Sequence, residues 1–388
     1  MNKRKVCVVI NSRANYARIK SFMAAAKSHP NLELQIIVGA SALLYRYGEV
    51  INVIKNDGFD INSIIYSIVE GENPVTMAKS VGLGTIELAT HLENLKPDVV
   101  LTVADRFETI ATAIAASYMN IPVAHTQGGE ITGSIDENVR HAVTKLSHIH
   151  FPATERATAF IEKLGEQKDT IFFTGCPSID ILCETDLSLD SNLFTKYKGV
   201  GSDLDTKKPY VVVMQHPVTT EYGQSFEQIN HTLKAVNRLS ELNLQVVWLW
   251  PNVDAGSDDV AKGIRNFREK FQPKHIHFFR NFSAEDYAKL INNSLCIIGN
   301  SSSGLREGAY LGIPSVNIGT RQSGRERAVN VVDADYDSDE IYQAITHQLK
   351  HGRYPSSKMF GSGNSGKNIA EILASVDFKL VKKINYLN

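Results

Sequence analysis

Short apolar runs alternate along the chain with longer segments in which apolar residues recur at helical spacing. The runs are continuously apolar, a pattern typical of parallel strands that are buried on both faces. Because helical segments separate the runs, the pattern predicts an α/β fold built on parallel sheets. The predicted strands cover residues 5–10, 34–40, 98–104, 121–126, 170–175, 210–215, 244–250, 276–279, 295–299 and 314–319.

A polar stretch at residues 184–208 divides these runs into two sets. The division predicts two doubly wound, Rossmann-like domains, joined near residues 176–208, and we expect them over residues 1–178 and 179–365. An internal echo supports this division, since AASYMNIPVAHT and EGAYLGIPSVNIG each read as a helix end, an Ile-Pro pair and a strand. Ligands of open parallel sheets bind beyond the carboxyl ends of the strands, which here would line a cleft between the domains.

Composition narrows the possible partners. Apolar residues form 43% of the chain, and 41 basic against 42 acidic residues give a formal net charge of -1, so no overall field favours nucleic acid or an anionic membrane. The first apolar run is too short for a signal peptide, and no run approaches the ~18 residues of a spanning helix. No CxxC pair occurs, which predicts free thiols and a cytoplasmic protein. The cysteines are Cys7, Cys176, Cys183 and Cys296.

Polar and ionisable side chains follow nearly every predicted strand. In the first half they are Ser12, Arg13, Asp105, Arg106, Gln127, Glu130, Asp136 and Arg140, and in the second half Gln215, His216, Asn252, Ser301, Ser302, Ser303, Arg321, Arg325 and Arg327. Two have structural alternatives. Asp136 could pair with Arg140 one helical turn on, in a helix whose Ser134 and Glu137 have capping-box spacing, and His216 could be a satisfied loop histidine. Convergence on one edge of the sheets favours a functional site.

The stretch CIIGNSSSGLREG, residues 296–308, places three serines between an apolar run and a helical pattern. If Ser301 or Ser302 caps a helix that begins near Gly304, the free N–H groups of its first turn and the hydroxyls form a site for phosphate oxygens. Gly304 would let the backbone approach the ligand closely. Glu307 could accept hydrogen bonds from a vicinal diol, so a ribose beside a diphosphate fits both features.

Motifs for other ligand classes are missing from the sequence. It has no GxxxxGK[ST] phosphate loop, and its only GxG lacks a preceding strand. His148 with His150, and His275 with His277, have strand spacing, and no HExxH or Cys/His cluster occurs, so we expect no metal. Residues 333–340, DADYDSDE, depart from a calcium loop and read as a turn that leads into a helix.

Together, the motifs resemble the hydrolysing UDP-N-acetylglucosamine 2-epimerases, in their stand-alone bacterial form, which supply N-acetylmannosamine for sialic acid synthesis. The motifs are SRANY, ADRFE, NIPVAHTQGGEITGSIDENVRHAVTKLSH, GCPSID, QHPVTTEYG, PNVDAGS, IGNSSSGLREGAYLG and GTRQSGRE. The resemblance implies a fold of the glycosyltransferase-B type, with a UDP-sugar in the cleft and neither metal nor nicotinamide cofactor. It also implies that a final helix, within residues 366–388, crosses back onto the first domain, and that the chain forms a homodimer or homotetramer.

The implied reaction is an anti elimination of UDP across C1–C2, which gives 2-acetamidoglucal, followed by hydration to N-acetylmannosamine. Because the C2 proton is not acidic, departure of the diphosphate must lead, and the site must stabilise it and place a base near C2. The resemblance assigns proton transfer and water activation to Asp105 and Asp136, with Glu130, Gln127 and His216 as further catalytic candidates. It assigns substrate binding to Arg13, Ser12, Arg106, Arg140, Asn252, Ser301, Ser302, Ser303, Glu307 and Arg321.

The resemblance also implies a specific role for eight of these residues. The diphosphate would lie on Arg13, Ser301 and Ser302 with help from His216, the ribose on Glu307, and the nucleotide end on Arg321, while Arg106 and Arg140 would orient the sugar or the carboxylates. Two positions depart from the family pattern. Asn15 replaces an aspartate, and Gln127 replaces a glutamate of many members, so that position either only hydrogen-bonds the sugar or yields its role to Glu130 or an aspartate.

Other functions are compatible with the same fold. The chemistry could act on UDP-2,4-diacetamido-2,4,6-trideoxyglucose, on the route to legionaminic acid. A UDP-sugar glycosyltransferase and a nucleotide-sugar sensor are disfavoured by the carboxylates of DRFE, GGE and IDENVR, since neither function needs two acids near C2. The non-hydrolysing epimerases add UDP back, whereas QHPVTT and NSSSG favour the hydrolysing branch.

Overall fold

The computed structural model of the chain describes residues 3–385. The expected first domain begins at residue 1 and the expected terminal segment ends at residue 388, so the ends of both expectations lie outside the described residues. The described chain forms two largely parallel sheets with helices packed against them, which confirms the predicted fold class. The domain boundary at residues 178 and 179 stays a prediction.

The first sheet has the strand order β3-β2-β1-β4-β5-β6, and all its neighbouring strands are parallel. Its strands are β1 (Arg4–Ile10), β2 (Leu32–Gly39), β3 (Ser63–Ile65), β4 (Val99–Val103), β5 (Val123–Thr126) and β6 (Ile149–Phe151). In the register of these strands, Val8 of β1 lies opposite Ile36 of β2 on one side and Leu101 of β4 on the other.

The second sheet has the order β13-β12-β11-β8-β9-β10-β7. Its strands are β7 (Gly199–Gly201), β8 (Tyr210–Met214), β9 (Gln245–Leu249), β10 (Ile276–Phe279), β11 (Ile297–Gly299), β12 (Ser315–Ile318) and β13 (Val331–Ala334). Only β7, at one edge, runs antiparallel to its neighbour. Without β7 the two sheets have the same topology, and the echoed segments contain β5 and β12, the fifth strand of each, which confirms the internal echo.

The helices cover both faces of the sheets. They are α1 (Arg13–Ala17), α2 (Lys20–Ser28), α3 (Val50–Asn56), α4 (Pro74–Leu95), α5 (Phe107–Tyr118), α6 (Asp136–Leu146), α7 (Glu155–Lys163), α8 (Pro177–Glu184), α9 (Leu193–Lys196), α10 (Ser225–Asn237), α11 (Ser257–Phe271), α12 (Ala284–Asn292), α13 (Ser302–Leu305), α14 (Glu307–Leu311), α15 (Ser338–His351) and α16 (Ser365–Ser375). We call residues 4–175 with α16 the N-terminal lobe, and residues 193–351 the C-terminal lobe. No helix among residues 3–385 is long and apolar enough to cross a membrane.

Each sheet is buried on both faces because successive strand residues point to opposite sides. In β1, Val6, Val8 and Ile10 pack with residues of α2 and α16. The alternate residues Cys7 and Val9 pack with residues of α4 and α5 on the other face. The continuous apolar runs of the sequence therefore correspond to two separate core layers, and each fully buried aliphatic side chain contributes ~1.5–3 kcal/mol.

Helix α16 lies against α2 of the N-terminal lobe. Gly366 approaches so closely that a Cβ there would lie 2.4 Å from the backbone nitrogen of Phe22. Asp180 of α8 accepts hydrogen bonds from the backbone N–H groups of Ser365 and Gly366, at 3.0 and 2.7 Å, and from the hydroxyl of Ser21. One buried carboxylate thus caps α16 and joins it to α2.

The predicted strand over residues 170–175 is wrong. That segment makes one isolated parallel bridge, between Ile171 and His150, and turns away at Gly175, whose φ is 82°. The last strand of this sheet is β6, which contains His150, one of the histidines noted for their strand spacing. Strands β3, β7 and β13 were not predicted, because they are short or partly exposed and lack a continuous apolar run.

Candidate active site

The carboxyl ends of both sheets face one pocket between the lobes. In each lobe the order of strands reverses between the first and fourth strands, β1 and β4 or β8 and β11, which is where parallel sheets bind ligands. The pocket leaves about 1160 Å³ free of protein atoms, including space open to solvent. Most of the expected site residues line it, namely Arg13, Asp105, Arg106, Asp136, His216, Asn252, Ser301, Ser302, Ser303, Glu307 and Arg321.

The serine turn follows β11 directly. Gly299 has a φ of 125°, and a Cβ there would lie 2.1 Å from the carbonyl oxygen of Met214, so the chain can turn toward the cleft only with glycine. Ser301 caps α13, with its hydroxyl accepting from the N–H of Ser303 at 3.3 Å. The helix begins at Ser302, earlier than expected, and spans four residues.

Gly304 has a different role from the one expected. A Cβ at this position would lie 2.2 Å from the hydroxyl oxygen of Ser315 on β12. The glycine therefore lets α13 pack against the sheet, and the expectation that it admits a ligand is corrected. The serine hydroxyls themselves face side chains of the cleft, since Arg18 donates to Ser302 at 2.7 Å and Tyr287 donates to Ser303 at 2.7 Å.

Two arginines of the pocket have no carboxylate within ion-pair distance among residues 3–385. The guanidinium of Arg13 donates to the carbonyl oxygen of Arg280 at 2.7 Å and weakly to Asn252, and burial lowers its pKa to about 10. Burial and the guanidiniums of Arg306 and Arg325 lower the pKa of Arg18 to about 9. Partly buried cations without anionic partners are costly, so this end of the cleft favours binding of an anion.

His216 is held as a neutral imidazole. Its Nδ1 accepts from the backbone N–H of Asn252 at 3.1 Å, so its proton lies on Nε2. Burial, and then the nearby cations Arg321 and Arg13, lower its pKa well below the usual range. The backbone N–H of His216 donates to Asn300 at 2.7 Å, which fixes the loop after β8. The pocket therefore gains one more donor at its cationic end.

The two aspartates of the pocket lie in different environments. Asp105 accepts a hydrogen bond from the buried guanidinium of Arg140. Asp136, at the start of α6, lies 3.8 Å from Arg321 of the other lobe. Burial and the carboxylate of Asp254 raise the pKa of Asp136. The pair can therefore divide acid and base roles, since one carboxylate is held by a cation and the other is disposed to accept a proton.

The alternative in which Asp136 pairs with Arg140 along the helix is wrong. Arg140 instead contacts Asp105 and, at 2.8 Å, Glu137. The side chain of Arg140 is fully buried and does not line the pocket, because its guanidinium is held by Asp105 and Glu137. Its place is consistent with orienting a carboxylate, not with contacting a sugar.

Arg106 bridges the lobes with its charge neutralised. It contacts Glu108 at 3.2 Å and Asp254 of the C-terminal lobe at 2.9 Å, and it donates to the carbonyl oxygen of Val253. Burial alone would lower its pKa, but these two carboxylates raise it. Unlike Arg13, it brings no net positive charge to the pocket.

Three further expected residues lie behind the pocket wall. Ser12 caps α1, accepting from the N–H of Asn15 at 3.2 Å. Gln127 is buried, where its Oε1 accepts from Arg306 at 2.7 Å and its Nε2 donates to the sulfur of Cys176. Glu130 is also buried and accepts from two arginines of the C-terminal lobe. The expectation that Gln127 and Glu130 act directly on the sugar is therefore corrected, because both side chains are buried and neither lines the pocket.

The other departure from the family pattern has a structural reason. Asn15 is buried, and its amide donates to the carbonyl oxygen of Val103 at 3.3 Å while its Oδ1 accepts from the N–H of Asn11 at 3.2 Å. An aspartate could not donate to Val103. Asn15 thus joins the carboxyl ends of β1 and β4, directly under the pocket.

A family model described as UDP-N-acetylglucosamine 2-epimerase matches residues 24–374. The chain belongs to this family of epimerases. A relative from Legionella pneumophila, named UDP-N,N'-diacetylbacillosamine 2-epimerase (hydrolyzing), is 32% identical, with 96% of each chain covered. A Neisseria meningitidis UDP-N-acetylglucosamine 2-epimerase is 29% identical, covering 96% of this chain and 95% of the relative.

Solved structures agree with the fold. The crystal structure of UDP-GlcNAc 2-epimerase from Neisseria meningitidis bound to UDP-GlcNAc is similar to this chain with a TM-score of 0.76 and 18% identity, and the match covers 95% of this chain and 99% of the other. This likeness confirms the fold class of this member of the epimerase family.

For this family member, the sequence did not indicate two residues that line the cleft, Arg18 and Tyr287, or Asp254, which contacts Arg106 of the cleft. Arg18 follows Arg13 by five residues, and only the break between α1 and α2 brings both to the pocket. Tyr287 reaches the serine turn from α12, and Asp254 reaches Arg106 from the loop after β9. Each depends on an approach between elements distant in sequence, although PNVDAGS had already marked the loop of Asp254. Among residues 3–385, no group of three or more His, Cys, Asp or Glu side chains could hold a metal ion.

Proposed function

We propose that the chain is a hydrolysing UDP-N-acetylglucosamine 2-epimerase that releases UDP and N-acetylmannosamine. One observation carries the proposal. The pocket combines two uncompensated guanidiniums of the N-terminal lobe, Arg13 and Arg18, with the serine turn of the C-terminal lobe. Two carboxylates of the N-terminal lobe, Asp105 and Asp136, line the same pocket. The first feature suits a leaving diphosphate, and the second suits proton transfer at a neighbouring carbon.

The diphosphate lies, in this proposal, on the serine turn. Its oxygens accept from the hydroxyls of the turn, from Arg13 and Arg18, and from Nε2–H of His216. Glu307 lines the same pocket and accepts from the ribose hydroxyls. Because Arg321 lies beside Asp136, we assign it to the sugar end of the cleft and withdraw its expected place at the nucleotide end.

Elimination begins with the bond between C1 and the diphosphate oxygen. The leaving oxygen takes the electron pair, and the two guanidiniums stabilise its charge while positive charge builds at C1. A carboxylate then takes the C2 proton, and 2-acetamidoglucal forms. Asp136 fits this role because its raised pKa makes it a stronger base than an ordinary aspartate.

Hydration completes the reaction. Asp105, which accepts a hydrogen bond from Arg140, takes a proton from the water molecule that attacks C1 and delivers it to C2, on the face opposite the one from which Asp136 removed the first proton. Asp136 then releases that first proton to solvent. The net change adds one water, releases UDP and inverts C2. Arg106, neutralised by Glu108 and Asp254, orients the sugar by hydrogen bonding and does not compete for the diphosphate.

A second candidate keeps the chemistry and changes the sugar. The Legionella relative, at 32% identity, is named for a diacetylated bacillosamine, and the Neisseria relative, at 29%, for N-acetylglucosamine. The alternative substrate is therefore UDP-2,4-diacetamido-2,4,6-trideoxyglucose. The two sugars differ at C4 and C6, away from the atoms that react.

The test is proton NMR of each UDP-sugar incubated with the enzyme in heavy water. We expect free N-acetylmannosamine that carries deuterium at C2. Turnover of the diacetamido sugar alone would support the second candidate, and accumulation of UDP-N-acetylmannosamine would place the chain with enzymes that add UDP back. Absence of turnover until an acceptor is supplied would contradict both candidates and favour a transferase.

A further inference from the structure

Glu130 of the N-terminal lobe is a buried carboxylate whose cationic partners both come from the other lobe. Its side chain is 5% exposed, and one of its oxygens accepts from both Arg306 and Arg325. From its own lobe, Arg140 contacts only its backbone carbonyl oxygen. Among residues 3–385, the guanidiniums in direct contact with this carboxylate are therefore supplied only when the lobes meet.

Other residues of the N-terminal lobe also contact residues 320–327, which we call the rim segment. The N–H of Gly133 donates to the carbonyl oxygen of Arg321 at 3.0 Å. The hydroxyl of Thr154 donates to Glu326 at 2.6 Å. Ile131 packs on Gly324, with a Cβ built at Gly324 lying 3.9 Å from the Cβ of Ile131. The rim segment thus lies along the N-terminal lobe on the edge of the pocket.

Two arginines of the rim segment reach the pocket itself. Arg321 lies 3.8 Å from Asp136, and Arg325 lines the pocket while it contacts Glu130. Burial alone would raise the pKa of Glu130, but Arg306 and Arg325 hold it below its usual range. The carboxylate is therefore ionised when the lobes meet, and opening them would separate one anion from two cations.

We propose that Glu130 is a positioning residue that latches the rim segment to the N-terminal lobe, so that closure of the lobes and delivery of Arg321 and Arg325 to the pocket are one event. The latch follows from the contacts alone. Its benefit to turnover, through the placement of Arg321 beside Asp136, rests on the proposed function.

A disulfide between the lobes can measure this closure without any substrate. The variant Ile131→Cys with Gly324→Cys joins positions whose Cβ atoms lie 3.9 Å apart, close to the ~3.8 Å mean of disulfides. The φ of 74° at Gly324 is strained for a cysteine. This strain is the same in all the variants compared, so it does not affect the comparison. Cys183→Ser in the background removes the exposed native thiol. The equilibrium with reduced and oxidised glutathione then gives the effective concentration of the two thiols.

Adding Glu130→Gln to this background should lower the effective concentration at least ~10-fold, because breaking a buried charge pair costs more than the ~1.4 kcal/mol to which tenfold corresponds. Glu130→Asp, which keeps the charge on a shorter side chain, should recover part of the loss. Glu326→Gln is the matched control, since it keeps an acceptor for Thr154 in the same segment and should change little.

Two results would overturn the latch. One is an equal effective concentration with Glu130 and with Glu130→Gln in folded protein, as judged by circular dichroism. The other is an equal fall with Glu326→Gln, which would indicate general loosening of the rim segment. If Glu130→Gln does not fold, a fall of less than tenfold in Glu130→Asp supports a charge-based latch, and a fall of tenfold or more contradicts it. Because no nucleotide sugar is used, a wrong substrate assignment leaves this result unaffected.

Discussion

The guanidinium of Arg18 offers the sharpest test of anion binding in the cleft. It donates to Ser302 at 2.7 Å, and no carboxylate of residues 3–385 lies within ion-pair distance of it. Burial and the guanidiniums of Arg306 and Arg325 lower its pKa to about 9. The ligand-free protein therefore holds a positive charge that a diphosphate would neutralise. Replacing Arg18 should raise stability and lower affinity together.

The substitution Arg18→Met removes the charge and keeps much of the side-chain volume. Each unit of lowered pKa corresponds to ~1.4 kcal/mol, and because water reaches this side chain from the cleft, we take about 1–2 kcal/mol as the part that is regained. The unfolding entropy of a chain of 388 residues is about 0.8 kcal/mol/K, so the ligand-free protein should then melt about 1–3 °C higher. A hydrogen bond to a charged group contributes ~1.5–3 kcal/mol, so UDP affinity should fall roughly 10- to 150-fold.

Thermal unfolding in phosphate-free buffer measures the first effect, and isothermal titration with UDP measures the second. Lys20→Met is the matched control two residues away. Lys20 contacts Asp57 at 2.8 Å and Glu285 at 2.5 Å, so its loss leaves two carboxylates unpaired and should lower Tm with UDP affinity unchanged. A variant Arg18→Met that melts lower and binds UDP as tightly as the natural protein would refute the reasoning.

The remaining predictions concern the carboxylates. Asp136→Asn should still bind UDP but turn over at least ~100-fold more slowly, measured by UDP release, and near-normal turnover would exclude it as the base. As a base with a raised pKa, Asp136 should lose activity on acidification at a pH above the usual aspartate range, and Arg321→Met should move that limb of kcat/KM higher still, because Arg321 lowers the pKa. An unmoved limb would contradict this pairing. Asp180→Ala should reduce the free energy of unfolding by about 3 kcal/mol in urea, since two N–H groups of α16 lose their buried acceptor, whereas exposed Asp186→Ala should not.

Much of the fold could be predicted because buried parallel strands leave continuous apolar runs. The run at residues 276–279 matches β10 to the residue. The same signal misleads where apolar residues pack without a ladder, as at residues 170–175, where Phe172 packs against the core and only Ile171 pairs. It is too weak for β7, an edge strand of three exposed residues.

The sequence predicted which edge of the sheets carries the site, but not which charged side chains pair with each other there. Residues that follow strands, such as Asp105 and His216, had to converge once the topology was known. Which carboxylate meets which guanidinium depends on side-chain direction and on contact between lobes. Helical spacing therefore suggested Asp136 with Arg140, whereas Arg140 turns to Asp105. Contacts such as that of Arg18 with Ser302, 284 residues apart, leave no local signal.

A crystal structure of the protein with bound UDP would show directly where the cleft holds the diphosphate. We predict that the diphosphate lies between Arg13, Arg18 and the hydroxyls of Ser301 and Ser302, and that the ribose hydroxyls contact Glu307. UDP bound outside the pocket between the lobes, or with its phosphates turned away from the serine turn, would contradict it.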